Sequence, residues 1–128
     1  MSHSSIYLAK RPVAGNVVAI LDATFENRPL SLIPVQSRAV QTGEIHELML
    51  VNKTEQGIAN QVIVLGFFEV ISGGIILIGD QASIDGAPIG EVAGFDQTHM
   101  PNHMNILVKG PLKRPELRLG SKVSFRKE

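Results

Sequence analysis

Glycine and proline cut this chain into short apolar runs, and that constrains its fold more than any other feature. There are 12 glycines and 7 prolines in 128 residues. The runs between them are rich in valine, isoleucine and phenylalanine, the composition of strands. "GNVVAILDATF" (Gly15 to Phe25) reads as a first strand, and "RPLSLIPVQSR" as a second, with Pro34 marking an edge or a bend. "EIHELMLV" (Glu44 to Val51), "NQVIVLGFFEVI" (Asn60 to Ile71) and "GIILIGDQASI" follow. "IGEVAGFD", "NILVKG" and "LRLGSKVSF" complete the series. No window carries a capped apolar stripe of helical period. The best helical candidate is "QTGEIHELMLV", where Thr42 could cap, and its alternation suits a strand equally well.

Short strands recurring at roughly 8–12 residues point to a barrel or sandwich. The expected fold is all-β: a single small β-barrel over residues 1–128, mostly antiparallel, with at most one short helix. Its expected core is Phe25, Leu48, Leu50, Val64, Phe67, Ile76, Ile78, Val92, Phe95, Ile106, Val108 and Phe125.

Composition removes several classes. With 44% hydrophobic and 19% charged residues, the chain is not of the disordered kind. No apolar run is long enough for a membrane helix, and "MSHSSIYLAKRPVAG" has no apolar region behind a basic start. The absence of cysteine excludes disulfides, thiolate metal sites and thiol catalysis, and fits a cytoplasmic protein. Charge is balanced overall but polarised. No lysine or arginine occurs between Thr54 and Val108, whereas Lys109, Lys113, Arg114, Arg118, Lys122, Arg126 and Lys127 crowd the end. That basic segment lacks interleaved aromatics, which argues against nucleic acid. It is expected to lie against an acidic neighbour, within one barrel or across subunits of a homo-oligomer.

Groups able to react concentrate in "GFDQTHMPNHMNIL" (Gly94 to Leu107). His99 and His103 have the HxxxH spacing of helical zinc sites, but Pro101 stands between them and no glutamate follows His99. A loop site for a divalent transition metal remains, with His99, His103 and Asp96 as ligands and His46, Glu47 or Asp80 as further choices. The alternative is a polar loop in which Asp96 and Asn102 bond the backbone of a turn while a histidine packs on the rim.

His46, His99 and His103 are the candidate acid–base residues. On a strand, His46 shares a face with Leu48, Leu50 and Glu44, so a carboxylate would orient the imidazole. Arg38 could clamp an anionic ligand bidentately if the fold brings it to His46. Glu44, Asp96, Asn102 and Asn105 are the other candidate ligand contacts. Asp80 and Asp85 flank "QASI" at glycine turns, where aspartate commonly bonds backbone. No phosphate-binding loop, dinucleotide fingerprint or serine nucleophile elbow is present.

The pieces "GGIILIGDQASIDGAPI", "IGEVAGFD", "MPNHMNILVKGP" and "LRLGSKVSF", in that order, resemble the glucitol/sorbitol-specific enzyme IIA component of the bacterial phosphotransferase system. The resemblance runs from Gly73 to the end. It implies a small single-domain barrel that carries a phosphoryl group on a histidine. The matching region here reads "VLGFFEVISGG", with Phe67 and Phe68 and no histidine; His46 lies upstream. Three functions follow as expectations. The first is a carrier-type barrel binding a small anionic or sugar-like metabolite. The second is a metal-dependent enzyme using His99 and His103 with Asp96 or His46. The third is a non-catalytic assembly subunit.

Overall fold

The computed structural model describes residues 6–128; the opening "MSHSS" lies outside the described residues. Ten strands run in chain order: β1 (Val13–Pro29), β2 (Ser37–Val40), β3 (Ile45–Val51), β4 (Thr54–Glu55) and β5 (Ile58–Ser72), then β6 (Gly74–Leu77), β7 (Gln81–Ile84), β8 (Ala87–Asp96), β9 (Asn105–Lys109) and β10 (Lys122–Arg126). Among the described residues there is no helix. The large sheet runs β1-β10-β7-β8-β9-β3-β5, and β5 returns to β1, so the sheet closes into a barrel-like ring. Every pairing in it is antiparallel except β3 with β9. The small sheet of β2 and β6 sends Val40 and Ile76 into the ring's core.

That core is built by alternation. Inward residues of successive strands meet, with Phe68, Phe95 and Phe125 the largest side chains fully enclosed. The Phe68 and Phe125 rings pack at a tilt, 5.7 Å between centroids. A second, smaller core lies on the other face, where Met49, Val51, Val62, Val64 and Leu107 are covered by Leu21, Ala23 and Leu30. This explains why "EIHELMLV" is ambiguous as a sequence. Residues from His46 to Val51 are buried on both faces, so polar–apolar alternation is masked.

Several expectations are corrected. Phe25 is not in the core: it is 45% exposed, on a length of β1 that extends past the ring's closure. Phe67 and Ile78 are half-buried. The run "RPLSLIPVQSR" is mostly irregular, touching the sheet through the Leu32–Asp96 bridge before β2 begins. The run "GIILIGDQASI" is two strands, because Gly79 turns the chain with φ of 95° and Asp80 accepts the Leu77 N–H at 3.0 Å. Asp80 also meets the Lys10 ammonium at 2.7 Å, both side chains buried, and so ties the N-terminal segment down. Of the basic segment, Lys109 on β9 stands opposite Glu91 on β8, and the Arg114 guanidinium lies 3.9 Å from Asp22 Oδ1. Asp85 accepts the Lys122 N–H at 2.8 Å. That bond, with help from Ser121 and the Arg118 charge, holds the Asp85 carboxyl below its ordinary range.

The β1–β5 pairing needs Gly66. Register shifts at Val17/Ala19 and Ile20/Ala23 press the β1 backbone onto β5, and a Cβ at Gly66 would strike the Ala19 carbonyl oxygen. Gly66→Ala is therefore expected to destabilise the protein by about 2–3 kcal/mol through forced backbone movement. Urea denaturation measures this; an unchanged midpoint would mean the pairing tolerates a methyl group there.

Candidate functional site

Strand alternation decides which histidine can meet which partner. His46 stands opposite Phe68 and faces into the ring, whereas Glu47 stands opposite Phe67 and faces out. Glu47 is also level with Asn105 on β9, which in turn is level with Asp96 on β8. A polar row of Glu47, Asn105 and Asp96 thus crosses the outer face, and all three are buried. The loop from Gln97 to Met104 folds over its end.

His103 caps this row. Its Nε2 lies 2.9 Å from Glu47 Oε1 and its Nδ1 lies 2.9 Å from Asn102 Oδ1. The imidazolium donates to both; the neutral ring donates to one, with the Asn102 amide turned over to serve the other. Either way both nitrogens are engaged. The ring meets Phe67 edge-on at 4.8 Å between centroids, and His99 stacks above it at 5.2 Å. His99 is exposed, and its Nε2 accepts from Arg28 Nη2 at 3.2 Å. The Arg28 guanidinium lies 4.8 Å from the centre of the Phe25 ring.

Asp96 serves the backbone and its neighbours. Oδ1 accepts the Ser31 N–H at 2.6 Å and the Thr98 hydroxyl at 2.7 Å, and Oδ2 accepts Asn105 Nδ2–H at 2.8 Å. Its oxygens are turned to these donors, and no contact joins it to His99 or His103. Among the described residues, no group of three or more histidine, aspartate or glutamate side chains is placed to hold a metal ion. The loop instead has the features of a polar closure: Asp96 bonds backbone, and a histidine packs on an aromatic rim.

No hydrogen bond or ring contact joins His46 to His99 or His103. Its Nδ1 accepts the Met104 N–H at 3.3 Å, and its Nε2 donates to Glu44 Oε1 at 2.9 Å. The backbone donor fixes the tautomer, and the lone pair a general base would use is taken. Glu44 is half-buried. Burial works to raise its carboxyl pKa, but the His46 hydrogen bond, a backbone bond at Gln41 and the Arg38 charge outweigh it, and the net shift is downward.

Arg38 completes this inner group. On β2 it stands opposite Ile76, a core residue, and so shares Ile76's inward face. Its Nε is buried and has no hydrogen-bond partner among the described residues. The structure joins Glu44 to His46 and brings the Arg38 charge to bear on Glu44, whereas His46 and the loop histidines, considered together in the sequence, are not bonded to one another. Sequence reasoning gave no place at this site to Arg28, Phe25 or Phe67, the two phenylalanines being expected in the core. A cation three residues after an aromatic was the only local signal for the first two. An open hollow of about 590 Å³ lies at the far end of β8, lined by residues such as Asp85, Arg118 and Leu119, and no histidine reaches it.

These features define a closed all-β ring whose polar groups gather at the end where β8, the loop and β3 meet. The chain belongs to the family described as "Family of unknown function (DUF6917)", whose profile matches residues 7–126. No curated protein and no solved structure matches it.

Two outcomes follow from the geometry. Asp96→Ala leaves the Ser31 and Asn105 donors without an acceptor in a buried place and should cost about 2–4 kcal/mol, with Asp96→Asn costing less. Equal urea midpoints for wild type and Asp96→Ala would contradict it. Glu44, whose carboxyl is held below its ordinary 4.5, contributes stability that is full above that value and lost as pH falls through its folded value. Glu44→Gln should thus lose stability near neutral pH and converge with wild type in acid; a constant gap across the same pH range would rule this out.

Proposed function

We propose that this protein binds a small anionic metabolite at Arg38, at the end of the ring that holds Glu44 and His46. One observation carries the proposal: Arg38 keeps a buried Nε–H with no acceptor, and no carboxylate stands within ion-pair distance of it among the described residues. An unmet buried donor costs about 1–3 kcal/mol, which a bound oxyanion would recover by accepting from the guanidinium fork. Carboxylate and phosphate both suit that fork.

Glu44 narrows the ligand class. Its negative charge beside Arg38 opposes a bare anion, but a hydroxyl next to the anionic group would donate to it. A hydroxy acid or a sugar acid fits both residues, which agrees with a sugar-like ligand. Binding rather than chemistry is the reading the residues favour, since both nitrogens of His46 are occupied. The likeness to the glucitol/sorbitol enzyme IIA component belongs to this proposal as a likeness of carrier-type barrels. A phosphoryl-carrying version would require an imidazole with a free lone pair, which His46 does not offer. The lack of cysteine suits a cytoplasmic metabolite.

Calorimetric titration with inorganic phosphate and a panel of small carboxylates, with and without a neighbouring hydroxyl, tests this. The hydroxylated anions should bind best. Arg38→Ala and Arg38→Lys should each weaken binding about tenfold or more, because lysine lacks the planar fork. Equal affinity in wild type and Arg38→Ala, or no binding by any member of the panel, would defeat the proposal.

A further inference from the structure

The small sheet of β2 and β6 brings a second arginine to the side of Arg38. Arg38 stands opposite Ile76 and Val40 opposite Gly74, so these four positions share one face. Gly74 has no side chain to fill its place on that face, and the segment before β1 fills it instead. A Cβ at Gly74 would lie 3.6 Å from Arg11 Nε and 3.4 Å from Val13 Cγ2. Arg38 and Gly74 are diagonal neighbours across the antiparallel pair, about 7–8 Å apart, a span that two arginine side chains bridge.

Arg11 is held in this position. Its Nε donates to the Gly73 carbonyl at 2.8 Å, and the Gly73 N–H donates to Thr42 Oγ1 at 3.2 Å. The preceding residue, Lys10, sets its ammonium 2.7 Å from Asp80 Oδ2, just past the other end of β6. The segment is thus pinned at both ends of β6. Arg11 is anchored through Nε, and its Nη groups have no hydrogen-bond partner among the described residues. The Lys10 charge is met by Asp80, but no carboxylate among the described residues lies within ion-pair distance of Arg11. The Glu44 carboxylate, which feels the Arg38 charge, is bonded to His46 and offsets at most one of the two arginines.

We infer that Arg11 is the second arm of the anion site, and that the ligand carries two anionic groups with a hydroxyl beside one of them. The inference rests on the proposal that Arg38 binds an oxyanion. One anionic group lies in the Arg38 fork, the neighbouring hydroxyl donates to Glu44, and the second anionic group accepts from the Arg11 Nη groups. A singly charged hydroxy acid leaves Arg11 unused, and a dianion without the hydroxyl sets its charge against Glu44 with no donor between them. A hydroxy dicarboxylate has all three groups, and a phosphorylated hydroxy acid offers the same chemistry.

Calorimetric titration of the full chain with lactate, succinate, malate and 3-phosphoglycerate tests this. Malate or 3-phosphoglycerate, whichever fits the spacing, should bind about tenfold or more tighter than lactate, and succinate should bind more weakly than malate. Arg11→Gln should remove the advantage of the dianion while lactate affinity and the urea midpoint stay in place. Arg11→Lys, which keeps the charge and loses the fork, should retain part of it. Lactate binding that needs Arg38, with no advantage for either hydroxylated dianion or an advantage that survives Arg11→Gln, would overturn this inference and leave the Arg38 proposal standing. Binding of none of the four would overturn both.

Discussion

The structure depends on the closure made by β1. Its first residues pair with β10 on one side and β5 on the other, and that double pairing turns an open sheet into a ring. The register shifts in β1 and the glycine at position 66 allow the two long strands to bend enough to meet. Once the ring is closed, β3 lies between β5 and β9 with both faces covered. Its residues then have no freedom: His46 must point in, and Glu47 must point out. The separation of the histidines is a consequence of closure, not of the loop that carries two of them.

The two polar groups solve the same problem differently. On the outer face, among the described residues, Asn105 Oδ1 is buried without a hydrogen-bond partner, while the Asp96, Glu47 and His103 side chains are all bonded. Asp96 joins the Ser31 backbone to β9, and Glu47 anchors the loop through His103. Such a network fixes the crossing of the chain from β1 to β8. On the inner side Arg38 is left with an unmet donor beside a carboxylate that His46 already orients. The outer network holds structure in place, whereas the Arg38 donor is where we propose that a ligand binds.

The strand pattern was legible because most runs bury one face. "NQVIVLGFFEVI" and "IGEVAGFD" fall within β5 and β8, and the glycine and proline punctuation marks the turns between strands. Beyond single strands, the sequence was less informative. Phe25 looked like a core residue because a phenylalanine at the end of an apolar run usually is; only the ring's closure shows that β1 outruns its neighbour. The second core could not be foreseen, since Leu30 covers Met49 and Leu107 from distant parts of the chain. The histidine-rich loop drew attention by density, yet density of polar groups does not distinguish a site from a network. Arg38 was visible, but its significance rests on an unmet donor, which is a property of packing rather than of residue type.

We propose that the Arg38 guanidinium binds an oxyanion. The most direct measurement is the arginine side-chain N–H spectrum by NMR, with the Arg38 signal assigned through Arg38→Lys. Addition of a small hydroxy acid should move the Arg38 Nε–H resonance downfield and slow its exchange with water, while the other arginine signals stay in place. An Arg38 signal unmoved by every small anion, or already protected in the ligand-free protein, would contradict this proposal.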